Sequence, residues 1–355
     1  MSEQLLIHPY DLPLRRPWES AKGRFARRYG FMIEVRSESL RGFGDCAPLP
    51  EAGTETLEQA EQQLPELQER LRGTKPESLM EEIGSELDAL PATRFALECA
   101  LLDLISKRAR VSLRRHLSAA ARDRLPVNIA AGPLASVTAE AAREYYDQGF
   151  HVLKIKVGIE DPAIELERLA ELFELIPPDL GLRLDANGAW SFDQAKSMVD
   201  ALARLPIESL EEPLREPTSE QLAELQSGIP FPLARDESLR RRLDAETDMT
   251  SLGVRRLVLK PAVLGGLQRT LDVARAATDA GMEVVITSLI ETAAGLWPTA
   301  QLAAATRSSI PHGLSTSDWL AQDLGSAPVL KDGFIQLPLC AGSGFTPTPD
   351  AKTSL

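Results

Sequence analysis

Six charged residues carry most of the chemistry available to this chain: Lys154, Lys156, Asp185, Glu211, Asp236 and Lys260. From Lys156 onward they recur about every 25 residues, the length of one strand, one helix and two short loops. Lys154 and Lys156 stand two apart on a strand-like segment, so they share a face. Asp185, Glu211 and Asp236 are hard oxygen donors, and no His or Cys shares their pattern. That set suits a Mg²⁺-type ion better than zinc. A buried amine beside another cation and a metal loses proton affinity and can act as a base. Charge counting links these parts. Three carboxylates, a divalent ion and a substrate carboxylate leave two negative charges. Protonated Lys154 and Lys260 balance these while Lys156 stays neutral. Moving a substrate proton to Lys156 then creates a dianion beside the metal and three ammoniums. The chemistry expected is proton abstraction α to a carboxylate. Asn187 follows Asp185 on the same face, and Glu212 and Glu237 adjoin ligand candidates but point the other way. These three are expected to support the ligands from behind.

Such a set meets only if the fold gathers strand ends. Strand-like segments fall at 126–131, 151–157, 181–186, 207–212, 231–236, 255–260, 283–289 and 308–312, with amphipathic stretches between them. Asp161-Pro162 and Ser191 with Gln194 are helix-start signals. Eight strand–helix units predict a closed parallel barrel whose C-terminal strand ends face one mouth. An open doubly wound sheet would want a Gly-rich phosphate turn, and no GxGxxG or GxxxxGK[ST] is present. Residues 1–90 lack this rhythm. Strands at 29–38 and 42–50, with a Leu-rich helical stripe over 55–71 that Pro65 interrupts, predict a small α+β capping domain. An apolar helix at 91–107 should pack between cap and barrel. Residues 91–325 would form the barrel domain. Residues 326–355 would return as a strand pair to the cap and end in a loose tail from 346.

A net charge of −13 argues against a general nucleic-acid or anionic-membrane binder. No 18-residue apolar run and no signal-peptide pattern is visible, and three widely spaced cysteines suit a reducing cytoplasm. A small-molecule carboxylate is the partner expected. A metal-free Schiff-base aldolase using Lys156 or Lys260 would leave the three carboxylates without a task, and a non-catalytic scaffold would leave all six residues without one.

Lys154-Ile155-Lys156, Asp185-Ala186-Asn187, Glu211-Glu212-Pro213, Asp236-Glu237-Ser238 and Lys260-Pro261 resemble the motifs of the enolase superfamily, in its muconate-lactonizing-enzyme branch. The resemblance extends to the helix at 96–104 and to Asp332-Gly333-Phe334-Ile335-Gln336-Leu337-Pro338. It implies an enolase-like, modified TIM barrel of (β/α)8 type, with a lysine base and Mg²⁺, Mn²⁺ being a substitute. Within the branch the chain is similar to the o-succinylbenzoate synthase family. Three segments carry that likeness: Arg15-Arg16-Pro17 to Ala21-Lys22-Gly23, Gly42 to Pro50, and His312-Gly313-Leu314-Ser315-Thr316, with Ser315 where that family commonly has Asp.

This implies syn dehydration of 2-succinyl-6-hydroxy-2,4-cyclohexadiene-1-carboxylate to 2-succinylbenzoate in menaquinone synthesis. Lys156 would move the proton, Lys260 would stabilise the enediolate, and Lys154 would support the substrate carboxylate. Ser288 and Gly313 could hold the succinyl tail, and read equally well as a packed strand residue and a turn glycine. Arg183 is expected to pair with carboxylates inside the barrel, His312 to be structural, Gly265-Gly266 to form a turn, and Arg240-Arg241-Arg242 to lie on a solvated helix face. The same two lysines would serve N-succinylamino acid racemisation. Dipeptide epimerisation would want an Asp-x-Asp at the eighth strand, which this chain lacks.

Overall fold

The computed structural model describes residues 3–20, 23–72, 74–82, 86–239, 243 and 247–349. Arg240-Arg241-Arg242, Ala21 and Lys22 lie outside the described residues.

Three antiparallel strands, β1 (Gln4–Ser20), β2 (Gly23–Ser37) and β3 (Leu40–Cys46), form a meander in the order β1-β2-β3. The sequence reading starts the sheet at Tyr29 and leaves β1 unassigned. Pro9, Pro13 and Pro17 argue against a central strand, but β1 lies at the sheet edge, where a missing N–H costs little. Helix α1 (Leu57–Leu71) runs unbroken through Pro65, correcting the expected interruption. Pro65 is on the exposed face, so the carbonyl it fails to bond meets water, while Ala60, Leu64, Leu67 and Leu71 hold the buried face. Helix α2 (Pro76–Glu82) follows, then α3 (Pro91–Arg108). Helix α3 is buried on nearly every side because it has two partners. Ala96, Leu97, Ala100, Leu101 and Leu104 join the core of the meander, while Phe95, Cys99 and Leu102 pack with Ala262, Leu267 and Leu271 of the barrel. Gly44 permits the contact with β3: a Cβ there would sit 2.0 Å from the Ala96 carbonyl oxygen.

After α4 (Leu113–Leu117) and a short β4 (Arg124–Pro126) the strand–helix alternation begins. It runs β5 (Ile129–Pro133), α5 (Ala139–Asp147), β6 (Val152–Lys156), α6 (Pro162–Leu175), β7 (Gly181–Asp185), α7 (Phe192–Leu202), β8 (Ile207–Glu211) and α8 (Ser219–Ser227). It continues through β9 (Leu233–Arg235), β10 (Arg256–Leu259), α9 (Pro261–Leu264), α10 (Leu267–Asp279), β11 (Glu283–Ile286) and α11 (Ala293–Thr306). Strands β5 to β11 form one parallel sheet in chain order. Asp161 caps α6 through the Ala163 N–H, and Ser191 with Gln194 makes a full capping box on α7.

The eighth strand expected at 308–312 is reduced to two residues. His312 bridges Val127 and Gly313 bridges Thr287, both in parallel, so the barrel closes through single bridges. Pro311 lacks the N–H that a longer ladder would need. The closing pair β12 (Leu330–Lys331) and β13 (Phe334–Gln336) bonds to β4 rather than to the cap sheet as expected. Residues beyond it reach the cap: the Ser343 N–H donates to Asp103 and Phe345 packs edge-on against Phe43. The stretch expected to be a loose tail is pinned as far as Thr348, with Pro347 bridging Gly325 and the Thr348 N–H on the Leu324 carbonyl. Among the described residues no helix is long and apolar enough to cross a membrane.

Inside the barrel, Arg183 pairs with Glu208, which also binds Arg256, while Asn128 and the Pro311 carbonyl take the remaining Arg183 donors. Arg183 therefore pairs with Glu208 and not with Asp185, Glu211 or Asp236. Burial opposes the charge on Glu208, but Arg183 and Arg256 outweigh it and hold the carboxyl well below its usual range. His312 accepts the Ile286 N–H on Nδ1, and burial with the nearby Arg183 pushes its pKa down to about 3, so it is neutral. Removing the shared anion takes the carboxylate partner from buried Arg183 and leaves buried Arg256 with Glu283 alone. Glu208→Leu is expected to destabilise the protein by about 3–5 kcal/mol, measured by urea unfolding.

Two other buried carboxyls lie where cap meets barrel. Glu98 of α3 accepts the Gln268 N–H at the start of α10, across a Gly265-Gly266 turn with φ of 84° and 152°. A Cβ on Gly266 would lie 1.9 Å from the Glu98 carboxylate. Glu291, after β11, accepts the Leu289 N–H and lies near Asp45. Burial pushes both carboxyls up to about 7. A raised folded-state value gives stabilisation that is complete below the unfolded value of about 4.3 and lost as pH rises through the folded one. Thermal stability should therefore fall as pH rises from about 4.3 to about 7, and fall less in a Glu98→Gln/Glu291→Gln double variant, as read by Tm against pH.

Candidate active site

The parallel register aligns the charged residues at one end of the barrel. Lys156 pairs in register with Asp185, and Asp185 with Glu211, on successive strands β6, β7 and β8. Asp236 and Lys260 stand one residue beyond β9 and β10. Leu153 and Ile155 are buried toward the helices, and the alternation turns Lys154 and Lys156 inward.

Lys154 Nζ lies 2.9 Å from Asp185 Oδ2 and 2.7 Å from Glu211 Oε1. Lys156 Nζ is 3.9 Å from Asp185 Oδ2 and donates to Asn187 Oδ1. Lys260 is paired with Asp236 Oδ2. Burial opposes the charges on Lys154 and Lys260, but the carboxylates outweigh it and raise both above the usual lysine value: Asp185, Glu211 and Asp236 at Lys154, Asp236 and Glu237 at Lys260. Both are therefore ammoniums at neutral pH. Burial, reinforced by the charges of Asp185 and Asp236, pushes Glu211 up to about 8 even with Lys154 beside it.

Among the described residues no three His, Cys, Asp or Glu side chains are gathered in metal-binding geometry. The carboxylates turn instead to the lysines: Lys154 bridges two of them and Lys260 takes the third. The donor set still suits a hard cation. Three buried carboxylates stand on neighbouring strand ends, and their crowding resists ionisation unless positive charge is nearby.

The surrounding residues divide by what they hold. Glu212, with φ of 43°, accepts the backbone N–H groups of Asp236 and Ser238 and the Ser238 hydroxyl, and so fixes the turn that carries Asp236. Asn187 donates to Glu237 Oε1. Ser288 is buried, with its hydroxyl 2.6 Å from Thr316 Oγ1. Gly313 needs correcting as a backbone donor: its N–H already donates to the Ile286 carbonyl in the bond that closes the barrel. Glu291 lies near Asp45 of β3 and bonds the Leu289 N–H, apart from this cluster.

Aromatic residues of the mouth escape a reading based on charges. The Trp18 ring of β1 lies 5.7 Å from Lys156 Nζ and meets Trp319 edge-on at 4.8 Å, with Arg16 stacked 4.3 Å from the Trp319 ring. A bridge between Leu14 and Leu320 fixes this contact of cap strand and barrel loop. Nothing in the spacing of residues about 300 positions apart points to it.

Residues 137–351 match the family model described as "Enolase C-terminal domain-like", and residues 2–104 match "MenC, N-terminal domain". The o-succinylbenzoate synthase of Aliivibrio fischeri (strain ATCC 700601 / ES114) is 32% identical over 330 residues, covering 90% of this chain and 92% of that protein. The chain belongs to the o-succinylbenzoate synthase family of the enolase superfamily. The family member from Desulfotalea psychrophila is 29% identical over 357 residues, covering 92% of this chain and 96% of that one. Among solved structures, the dipeptide epimerase from Enterococcus faecalis V583, complexed with Mg and the dipeptide L-Leu-L-Tyr, superposes with a TM-score of 0.86 at 25% identity, covering 98% of this chain and all of that one. Enolase-superfamily relatives thus include an enzyme crystallised with a divalent metal.

Proposed function

We propose that this enzyme is a divalent-metal-dependent hydro-lyase that dehydrates 2-succinyl-6-hydroxy-2,4-cyclohexadiene-1-carboxylate to 2-succinylbenzoate, a step of menaquinone synthesis. The observation that carries the mechanism is the meeting of Lys154, Lys156 and Lys260 with Asp185, Glu211 and Asp236 at one barrel mouth.

Asp185, Glu211 and Asp236 would hold Mg²⁺, with Mn²⁺ as a substitute. When bound, the ion supplies a Lewis-acid charge that stabilises negative charge developing on the substrate carboxylate. Lys156 takes the proton from the carbon α to that carboxylate, and the C–H electron pair moves into the carboxylate system. The same ammonium then returns its proton to the departing hydroxyl, so water leaves from the face the proton left. Lys260 and Lys154 remain charged and balance the dianion. Trp18 walls the Lys156 side of the site, giving the ring an apolar surface and the ammonium a cation–π partner. Ser288, re-aimed from Thr316, would meet the succinyl tail. The free thiols Cys46, Cys99 and Cys340 fit a reducing cytoplasm.

Racemisation of N-succinylamino acids asks for the same lysines, so substrate preference decides between the two. kcat/KM for the cyclohexadiene should exceed that for N-succinylamino acids by at least about 10², a gap worth roughly 3 kcal/mol in transition-state binding. The reverse order would replace dehydration with racemisation as the main activity.

A further inference from the structure

Asn187 sits between the proposed base and the Glu237 carboxylate. Its backbone is in the left-handed region, φ 45°, and its N–H is bonded to Asp185 Oδ1 at 3.1 Å, so its side chain starts from a fixed point. Lys156 Nζ donates to Asn187 Oδ1, and Asn187 Nδ2 lies 3.1 Å from Glu237 Oε1. The Glu237 end sets the amide orientation. A carboxylate only accepts, so the amide NH₂ must face Glu237, and this leaves the carbonyl to accept an N–H of the Lys156 amine. Turning the amide over would set carbonyl against carboxylate and lose the bond to Glu237.

From this chain of contacts we infer that Glu237 is a positioning residue for the base: by holding the Asn187 amide in one orientation it fixes where the Lys156 amine sits. A lysine has a flexible four-carbon stem, and among the described residues Lys156 makes one directional hydrogen bond, to Asn187, beside its 3.9 Å approach to Asp185 and its contact with the Trp18 ring. Displacing a base by about 1 Å can cost about 10²-fold in rate. The role differs from support of a metal ligand, which Glu212 supplies by holding the Asp236 turn. The inference rests on Lys156 being the base.

The test is a double-mutant cycle of Glu237→Leu and Asn187→Ala with Glu237→Gln alongside, assayed on the cyclohexadiene over a Mg²⁺ titration. Glu237→Leu and Asn187→Ala should each lower kcat about 10-fold or more, leaving KM and the Mg²⁺ needed for half-activation within about twofold. Together they should lose no more than either alone. Glu237→Gln keeps an acceptor for the amide and should recover most of the lost kcat. A second arm needs no substrate: the rate at which trinitrobenzenesulfonate modifies Lys156, followed by peptide mass spectrometry, should change at least about threefold in Glu237→Leu and Asn187→Ala alike. Additive losses in kcat, a raised Mg²⁺ requirement at unchanged kcat, or an unchanged Lys156 labelling rate would overturn the inference. If the wild type fails to turn over the cyclohexadiene, the proposed reaction fails, while the labelling arm still decides whether Glu237 positions Lys156.

Discussion

Lys156→Ala lowers kcat for dehydration by about 10²–10⁴-fold, the range supplied by one positioned general base. The effect should fall on kcat and kcat/KM together, because the lysine acts on the proton in transfer and contributes little to holding the resting substrate. The protein should stay folded: Lys156 is a partly exposed side chain whose neighbours Leu153, Ile155 and Val157 make the core contacts of β6. Lys260→Ala should lose a comparable factor for a different reason. Its ammonium, kept charged by Asp236 and Glu237, stands ready for the negative charge that appears only in the transition state. A Lys156→Ala protein that kept wild-type turnover would move the proton transfer to another group, and retained activity in Lys260→Ala would remove the second lysine from the mechanism. Steady-state kinetics with circular dichroism as the folding control decides both.

Metal removal is the second large effect. Dialysis against a chelator should reduce turnover by about 10³-fold or more, since a Lewis-acid cation contributes several kcal/mol to a developing dianion and each 1.36 kcal/mol is tenfold in rate. Mg²⁺ should restore activity and Mn²⁺ should substitute. Glu211→Gln should raise the Mg²⁺ concentration needed for half-activation. Burial, reinforced by the charges of Asp185 and Asp236, opposes the ionisation of Glu211, and a cation relieves that opposition directly. Full activity after exhaustive chelation, checked by elemental analysis, would exclude the metal-assisted route and reopen Schiff-base chemistry, which borohydride trapping would reveal.

The charged row was legible in the sequence because the parallel barrel is periodic. One strand–helix unit is about 25 residues, so residues at strand C-termini repeat with the fold. The α6 and α7 starts were legible too, because Asp161 and Ser191 with Gln194 cap through bonds only two or three residues long. What escaped depends on tertiary context. β1 carries three prolines and is a strand only because it lies at a sheet edge. Helix α1 survives Pro65 because the lost bond faces solvent. The eighth strand shrank to His312 and Gly313, and the Gly313 N–H went to closing the barrel rather than to a ligand. Glu208, which bridges Arg183 and Arg256, sits among residues whose spacing looks like ordinary strand alternation. Trp18 and Trp319 meet only because the cap docks on the barrel loops. Local signals and the fold's own period can be read from one chain, whereas contacts set by how two surfaces meet cannot.

The most direct test of the central claim is to add purified enzyme and Mg²⁺ to 2-succinyl-6-hydroxy-2,4-cyclohexadiene-1-carboxylate and follow the appearance of 2-succinylbenzoate. The account predicts stoichiometric conversion that stops on chelation and is lost in Lys156→Ala. Persistence of the cyclohexadiene in the presence of folded, Mg²⁺-supplied enzyme would contradict it.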